Sequence, residues 1–91
     1  MLFRALCELA NGQRVIVVCS SGQIPYMRGI LRSAGLIGDR IQFLSLQSLV
    51  ALRGLRRDGI SVFVDHHVRD VATYQQQGEL INAAVRGLIR E

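Results

Sequence analysis

Two short runs of β-branched and aromatic residues constrain this chain most: Arg14–Cys19, R-V-I-V-V-C, and Ile60–Val64, I-S-V-F-V. Neither shows a clean alternation of apolar and polar positions. A near-continuous apolar strand is buried on both faces, which is the habit of a parallel sheet held between helices. Arg40–Leu46, R-I-Q-F-L-S-L, predicts a third strand. Helical patterns separate the three. Leu2–Ala10 puts Leu2, Leu6 and Leu9 at helical spacing before the stop signal Asn11-Gly12. Ile24–Ala34 carries Pro25 in its first turn, where proline is tolerated. Ile24, Met27, Leu31 and Ala34 line one face, and Arg28 and Arg32 lie on the other. Gln47–Leu55 predicts a short helix. Val71–Arg90 predicts a long final one, with Ile81, Ala84, Val85, Leu88 and Ile89 as its apolar stripe. The order α-β-α-β-α-β-α predicts an α/β protein. The expected architecture is a small three-layer fold with about three parallel strands, helices on both faces and βαβ crossovers.

Ninety-one residues with no repeat, linker or shift of composition predict one domain, residues 1–91. The longest uncharged stretch, Ile41–Leu52, is interrupted by Gln42, Ser45, Gln47 and Ser48 and is too short to span a bilayer. Met1-Leu2-Phe3-Arg4 runs at once into Glu8 and Asn11, leaving no room for the apolar segment of a secretory signal. The expectation is a cytoplasmic protein with no membrane partner. Cys7 and Cys19 are not in C-x-x-C spacing and read as small buried hydrophobes in a reducing compartment.

All eleven basic residues are arginine; there is no lysine, and the net charge is +4. Missing lysine excludes a phosphate-loop Lys, a Schiff base and a Lys general base. The arginines are scattered, and only Arg53, Arg56 and Arg57 cluster. A GC-rich coding sequence accounts for such a bias without any function. With help from Arg28 and Arg32, the cluster is also a candidate contact for nucleic acid or an acidic partner.

The order of segments resembles the first RecA-like domain of P-loop NTPases, helicases and phage terminases in particular. In that comparison L-F-R-A-L-C-E-L-A-N-G-Q-R-V-I-V-V matches the helix after the phosphate loop and its following strand. C-S-S-G-Q-I-P-Y-M-R-G-I-L-R-S-A-G-L matches a small-residue turn and helix, I-Q-F-L-S-L-Q-S-L a strand with a serine–leucine element, and S-V-F-V-D the Walker B strand. The resemblance covers residues 2–65 and implies that Asp65 takes the place of the Mg²⁺-orienting carboxylate. The departures are large. The G-x-x-x-x-G-K-[ST] loop would lie before Met1, and the position commonly held by a catalytic Glu is His66. The expectation is that the chain is not a working P-loop NTPase and takes no cofactor.

V-F-V-D-H-H-V is also similar to the Asp-His-His motif of the DHH phosphoesterases, which implies Asp65, His66 and His67 as ligands of Mn²⁺ or a similar ion. That family gathers further aspartates from earlier strands, whereas the earlier strands here run into Cys19-Ser20-Ser21 and Leu46-Gln47-Ser48. The alternative is that Asp65 caps the next helical turn, with the histidines at the surface. Ser20-Ser21-Gly22 is either an anion-binding turn or a plain βα connection. Cys19 beside His66 or His67 would make a nucleophile pair, but nothing in the sequence orients one.

The resulting expectation is a small non-catalytic module that binds another protein or a second copy of itself as a homodimer. Its candidate interface is Ile81, Val85, Leu88 and Ile89. The P-loop resemblance implies a stripped relative of the kind carried by phages and mobile elements, modulating a host factor. The alternatives are a nucleic-acid-binding protein using Arg53, Arg56 and Arg57, and a metal-dependent phosphoesterase at Asp65-His66-His67.

Overall fold

The structure, a computed structural model, describes residues 7, 8, 10–35, 41–56 and 58–89. Three parallel strands form its sheet: β1 (Arg14–Val18), β2 (Ile41–Leu44) and β3 (Ile60–Val64), in the order β2-β1-β3. The α/β class and the parallel sheet agree with the expectation from sequence. β1 is the central strand. Val17 pairs with Phe43 on one side and Phe63 on the other. Val15 to Cys19 and all of β3 are buried, which is why their sequences do not alternate.

The two faces of the sheet carry separate cores. Val15, Val17, Cys19, Phe43 and Phe63 pack against Ile24, Met27 and Leu31 of helix α1 (Ile24–Ser33). Ile16, Val18, Ile60, Val62 and Val64 pack on the opposite face. There they meet a 3₁₀ segment (Leu46–Leu52), helix α2 (His66–Val71) and helix α3 (Tyr74–Val85). Helix α1 thus covers one face between β1 and β2, and the 3₁₀ segment covers the other between β2 and β3. Of the expected first helix, Cys7, Glu8 and Ala10 are helical, and its remaining residues lie outside those described. Ser61 in β3, fully buried, donates its hydroxyl to Glu8 Oε2 at 3.4 Å.

Three expectations need correction. Cys7, expected to be a buried hydrophobe like Cys19, is exposed. The segment after β2 is a 3₁₀ helix from Leu46 to Leu52, where the sequence predicts a short α-helix at Gln47–Leu55. Its leucines recur at every third position, Leu46, Leu49, Leu52 and Leu55. Three residues per turn puts them on one line facing the sheet, where 3.6 would rotate them away. All four pack into the same core.

The single helix expected over Val71–Arg90 is replaced by α2, a break at Ala72-Thr73, and α3 ending at Val85. Thr73 and Gln76 form a capping box. Gln76 N–H donates to Thr73 Oγ1 at 3.2 Å, and Thr73 N–H donates to Gln76 Oε1 at 2.9 Å. Gly87 stops α3 with a φ of 79°. Around it Leu88 N–H donates to Ala83 O at 3.0 Å and Gly87 N–H to Ala84 O at 3.0 Å, the paired bonds of a Schellman motif. Leu88 then enters the core, 0% exposed, and Ile89 forms a parallel bridge with Val62. The stripe that placed Leu88 and Ile89 on a helix with Ile81 and Val85 is therefore not one helical face.

Candidate functional site

Parallel pairing of β1 with β3 brings the two candidate turns to one edge of the sheet. Asp65 N–H donates to Val18 O at 3.0 Å, so the ladder continues one residue beyond β3. Asp65, His66 and His67 follow β3 there, and Cys19, Ser20, Ser21 and Gly22 follow β1. In open α/β sheets this is where ligands bind.

The side chains give that edge little chemistry. Asp65 is the N-cap of α2, its Oδ1 accepting from His67 N–H at 3.2 Å. His66 and His67 sit in the first turn of α2, exposed. Among the described residues no group of three or more His, Cys, Asp or Glu is placed to hold a metal ion. Cys19 is fully buried; burial pushes its thiol up from its ordinary value, and the nearby Asp65 charge pushes the same way. A nucleophilic cysteine needs the opposite environment. Ser20 leads into a 3₁₀ turn, Ser21–Gln23, without a side-chain cap bond, and Ser21 and Gly22 are exposed. Gln23 Oε1 is buried without a hydrogen-bond partner among the described residues, and α1 begins with Pro25 in its first turn and no acidic residue.

Among the described residues the arginines divide between the two faces of the sheet, Arg28 and Arg32 on α1 and Arg53, Arg56 and Arg86 around the end of the 3₁₀ segment. Arg53 donates from Nε at 2.9 Å and from Nη2 at 2.5 Å to Glu79 Oε1. That hydrogen bond raises the Arg53 guanidinium and lowers the Glu79 carboxyl from their ordinary values. Arg56 is exposed, and Arg57 lies outside the described residues. Arg28 and Arg32 are exposed on α1. Arg86 donates to the carbonyls of Leu52 and Leu55, satisfying the open end of the 3₁₀ segment.

Among the described residues, helix α3 presents the largest concentration of exposed apolar side chains. Its inner face carries Leu80 and Ala83, both buried. Its outer face carries Tyr74, Ile81 and Val85, exposed by 94%, 64% and 80%. With Gly78 these fall at spacings of four, three and four, the period of a helix–helix seam. Every exposed residue of α3 is uncharged: Tyr74, Gln75, Gln77, Gly78, Ile81, Asn82, Ala84 and Val85. The one charged residue within the helix is Glu79, held by Arg53. A groove of about 620 Å³ runs along one flank, lined by Arg69, Gln77, Leu80, Ile81, Ala84 and Ile89. A second, of about 420 Å³, lies towards the 3₁₀ segment and includes Val50, Gln75 and Gly78. Of the four residues expected to form an interface, Ile81 and Val85 belong to this surface; Leu88 belongs to the core and Ile89 to the groove wall. Sequence reasoning missed Tyr74. The capping box at Thr73 was the available signal, because it fixes the helix start and hence the phase of both stripes.

Comparison with protein-family models, with curated proteins and with solved structures gives no match.

Proposed function

We propose that this chain is a non-catalytic protein-binding module that docks through the outer face of α3. The observation that carries the reading is that face itself: twelve residues of surface helix whose exposed positions hold no charge. A helix in contact with solvent on one side ordinarily carries charged and polar residues there. Depletion of charge and enrichment in aromatic residues mark the centre of protein interfaces. In a chain that is 20% charged, a neutral face carrying Tyr74, Ile81 and Val85 fits a protein partner better than a nucleic acid. The Arg53–Glu79 pair, which neutralises one arginine of the cluster, also favours the protein reading.

A photo-reactive amino acid placed at Ile81, and separately at Arg28 on α1, tests this in cells expressing the chain. The expected result is a discrete adduct of defined mass from position 81 and none from position 28. No adduct at position 81, or equal adducts from both positions, would overturn the reading.

A further inference from the structure

The outer face of α3 has an inner symmetry that bears on what covers it. Tyr74, Gly78, Ile81 and Val85 are spaced four, three, four, which reads the same in both directions. Laid antiparallel on its own copy, the stripe sets Tyr74 against the partner's Val85 and Gly78 against the partner's Ile81. Each meeting places a larger side chain opposite a smaller one. Among the described residues nothing calls for Gly78. It lies mid-helix, where glycine is less stable than alanine, and a Cβ there would meet nothing within 4 Å.

Charge and area point the same way. The chain carries a net charge of +4, so two copies repel unless they meet where charge is absent or paired. The α3 face is uncharged, and the arginine beside it, Arg53, is engaged by Glu79. A helix of this length is only about 18 Å long. One ridge of that length buries less than the roughly 800 Å² per partner of a standard interface. Here the ridge lies directly beside a groove floored by Leu80 and Ile89. A two-fold axis through the stripe brings that groove, with Arg69 in its lining, to the margin of the contact on both copies, which adds area to the helix pair.

Resting on the protein-binding reading above, we propose that the occupant of this face is a second copy of the chain. The two α3 helices pair antiparallel about an axis passing between Gly78 and Ile81. The contact is small for a dimer, and the pairing proposed is a reversible one.

Sedimentation or light scattering across a dilution series tests the pairing, and disulfide trapping tests its direction. Wild type is expected to pass from monomer to dimer mass as concentration rises. Ile81→Arg is expected to raise the midpoint at least tenfold. Gly78→Ala is expected to raise it as well while leaving the monomer's melting temperature equal or higher, a divergence that a merely structural glycine would not give. In a Cys7→Ser background, which removes an exposed thiol, Tyr74→Cys combined with Val85→Cys is expected to form linked dimers on mild oxidation, and each single variant is not. A monomer mass at 1 mM, a dimer indifferent to Ile81→Arg, or efficient linking by a single-cysteine variant would each overturn the proposal. If the adduct from position 81 instead contains a different protein while the chain stays monomeric, self-pairing fails and the docking reading survives. If there is neither adduct nor dimer, both fail.

Discussion

The backbone N–H of Val62 donates to the carbonyl of Leu88 at 2.9 Å, on the side of β3 that faces away from β1. The segment after α3 is thereby tied to the middle of β3, at the edge of the sheet. The tie depends on Gly87, whose positive φ turns the backbone back, and on Leu88, which is buried beside Leu80 and Ala83. Leu88→Ala should lower stability by about 2–5 kcal/mol, the range for a buried leucine truncated to alanine. Leu88→Glu should abolish the cooperative transition in chemical denaturation, because the carboxylate would have no partner in that core. A Leu88→Glu variant that melts like wild type would place the residue at the surface instead.

Val17 and Val62 occupy opposite faces of the sheet, and both are 0% exposed. Val17→Asp or Val62→Asp should each yield insoluble or non-cooperative protein, since burial of an unpaired carboxylate costs several kcal/mol. Circular dichroism during thermal melting reads the result. A soluble variant with a sharp transition would mean that its face of the sheet is not sealed.

Asp65 acts as a helix cap. Asp65→Ala should destabilise the protein by about 1 kcal/mol, and Asp65→Asn, which keeps an accepting oxygen, should recover most of that. Addition of Mn²⁺ should leave the melting temperature of wild type and of both variants unchanged. A wild-type-specific rise with Mn²⁺ would restore the metal-site reading of Asp65, His66 and His67.

The two cysteines should behave as opposites. Cys7 is exposed and Cys19 buried, so a thiol reagent at neutral pH should label one site per native chain quickly and the second at the rate of unfolding. Burial, then Asp65, raises the Cys19 thiol in the folded state. As pH rises, the unfolded chain's thiol ionises first. The stabilisation from this group is therefore complete below the unfolded thiol's range, near pH 8.5, and is lost as pH climbs through the folded value. Denaturation midpoints measured from pH 7 to 10.5 should fall at the alkaline end, and more shallowly for Cys19→Ala. Equal slopes would remove Cys19 as the cause.

The strands were legible because burial on both faces leaves a mark that local rules can read: five consecutive apolar residues in Val15–Cys19 have few other uses. Helix α1 was legible from its period, and Ile24, Met27 and Leu31 pack where that period puts them. The turns were harder. The 3₁₀ segment was written in leucines three apart, a period that a 3.6-residue template partly matches and so absorbs. The end of α3 was written in Gly87, but the apolar residues on either side of it carried the helical rhythm past the stop. Leu88 was thus assigned to a surface when it belongs to the core. At the sheet edge, the motif Asp65-His66-His67 admitted both ligand and cap readings, and only backbone geometry separates them, through the His67 N–H bond.

β1 is the centre of the sheet and also the earliest of the three strands. Val15 pairs with Ile41 on one side and Ser61 on the other, so both neighbours follow it along the chain. On a ribosome adding about 5–20 residues per second, R-V-I-V-V-C emerges and waits some seconds for the strands that will cover its edges. During that wait it is a β-prone run, apolar beyond its first residue, with open hydrogen-bonding groups on both sides. The placement that gives the native sheet its most protected element gives the nascent chain its most aggregation-prone one. The yield of soluble protein should therefore follow the rate of translation through residues 19–60 more closely than the stability of the finished fold.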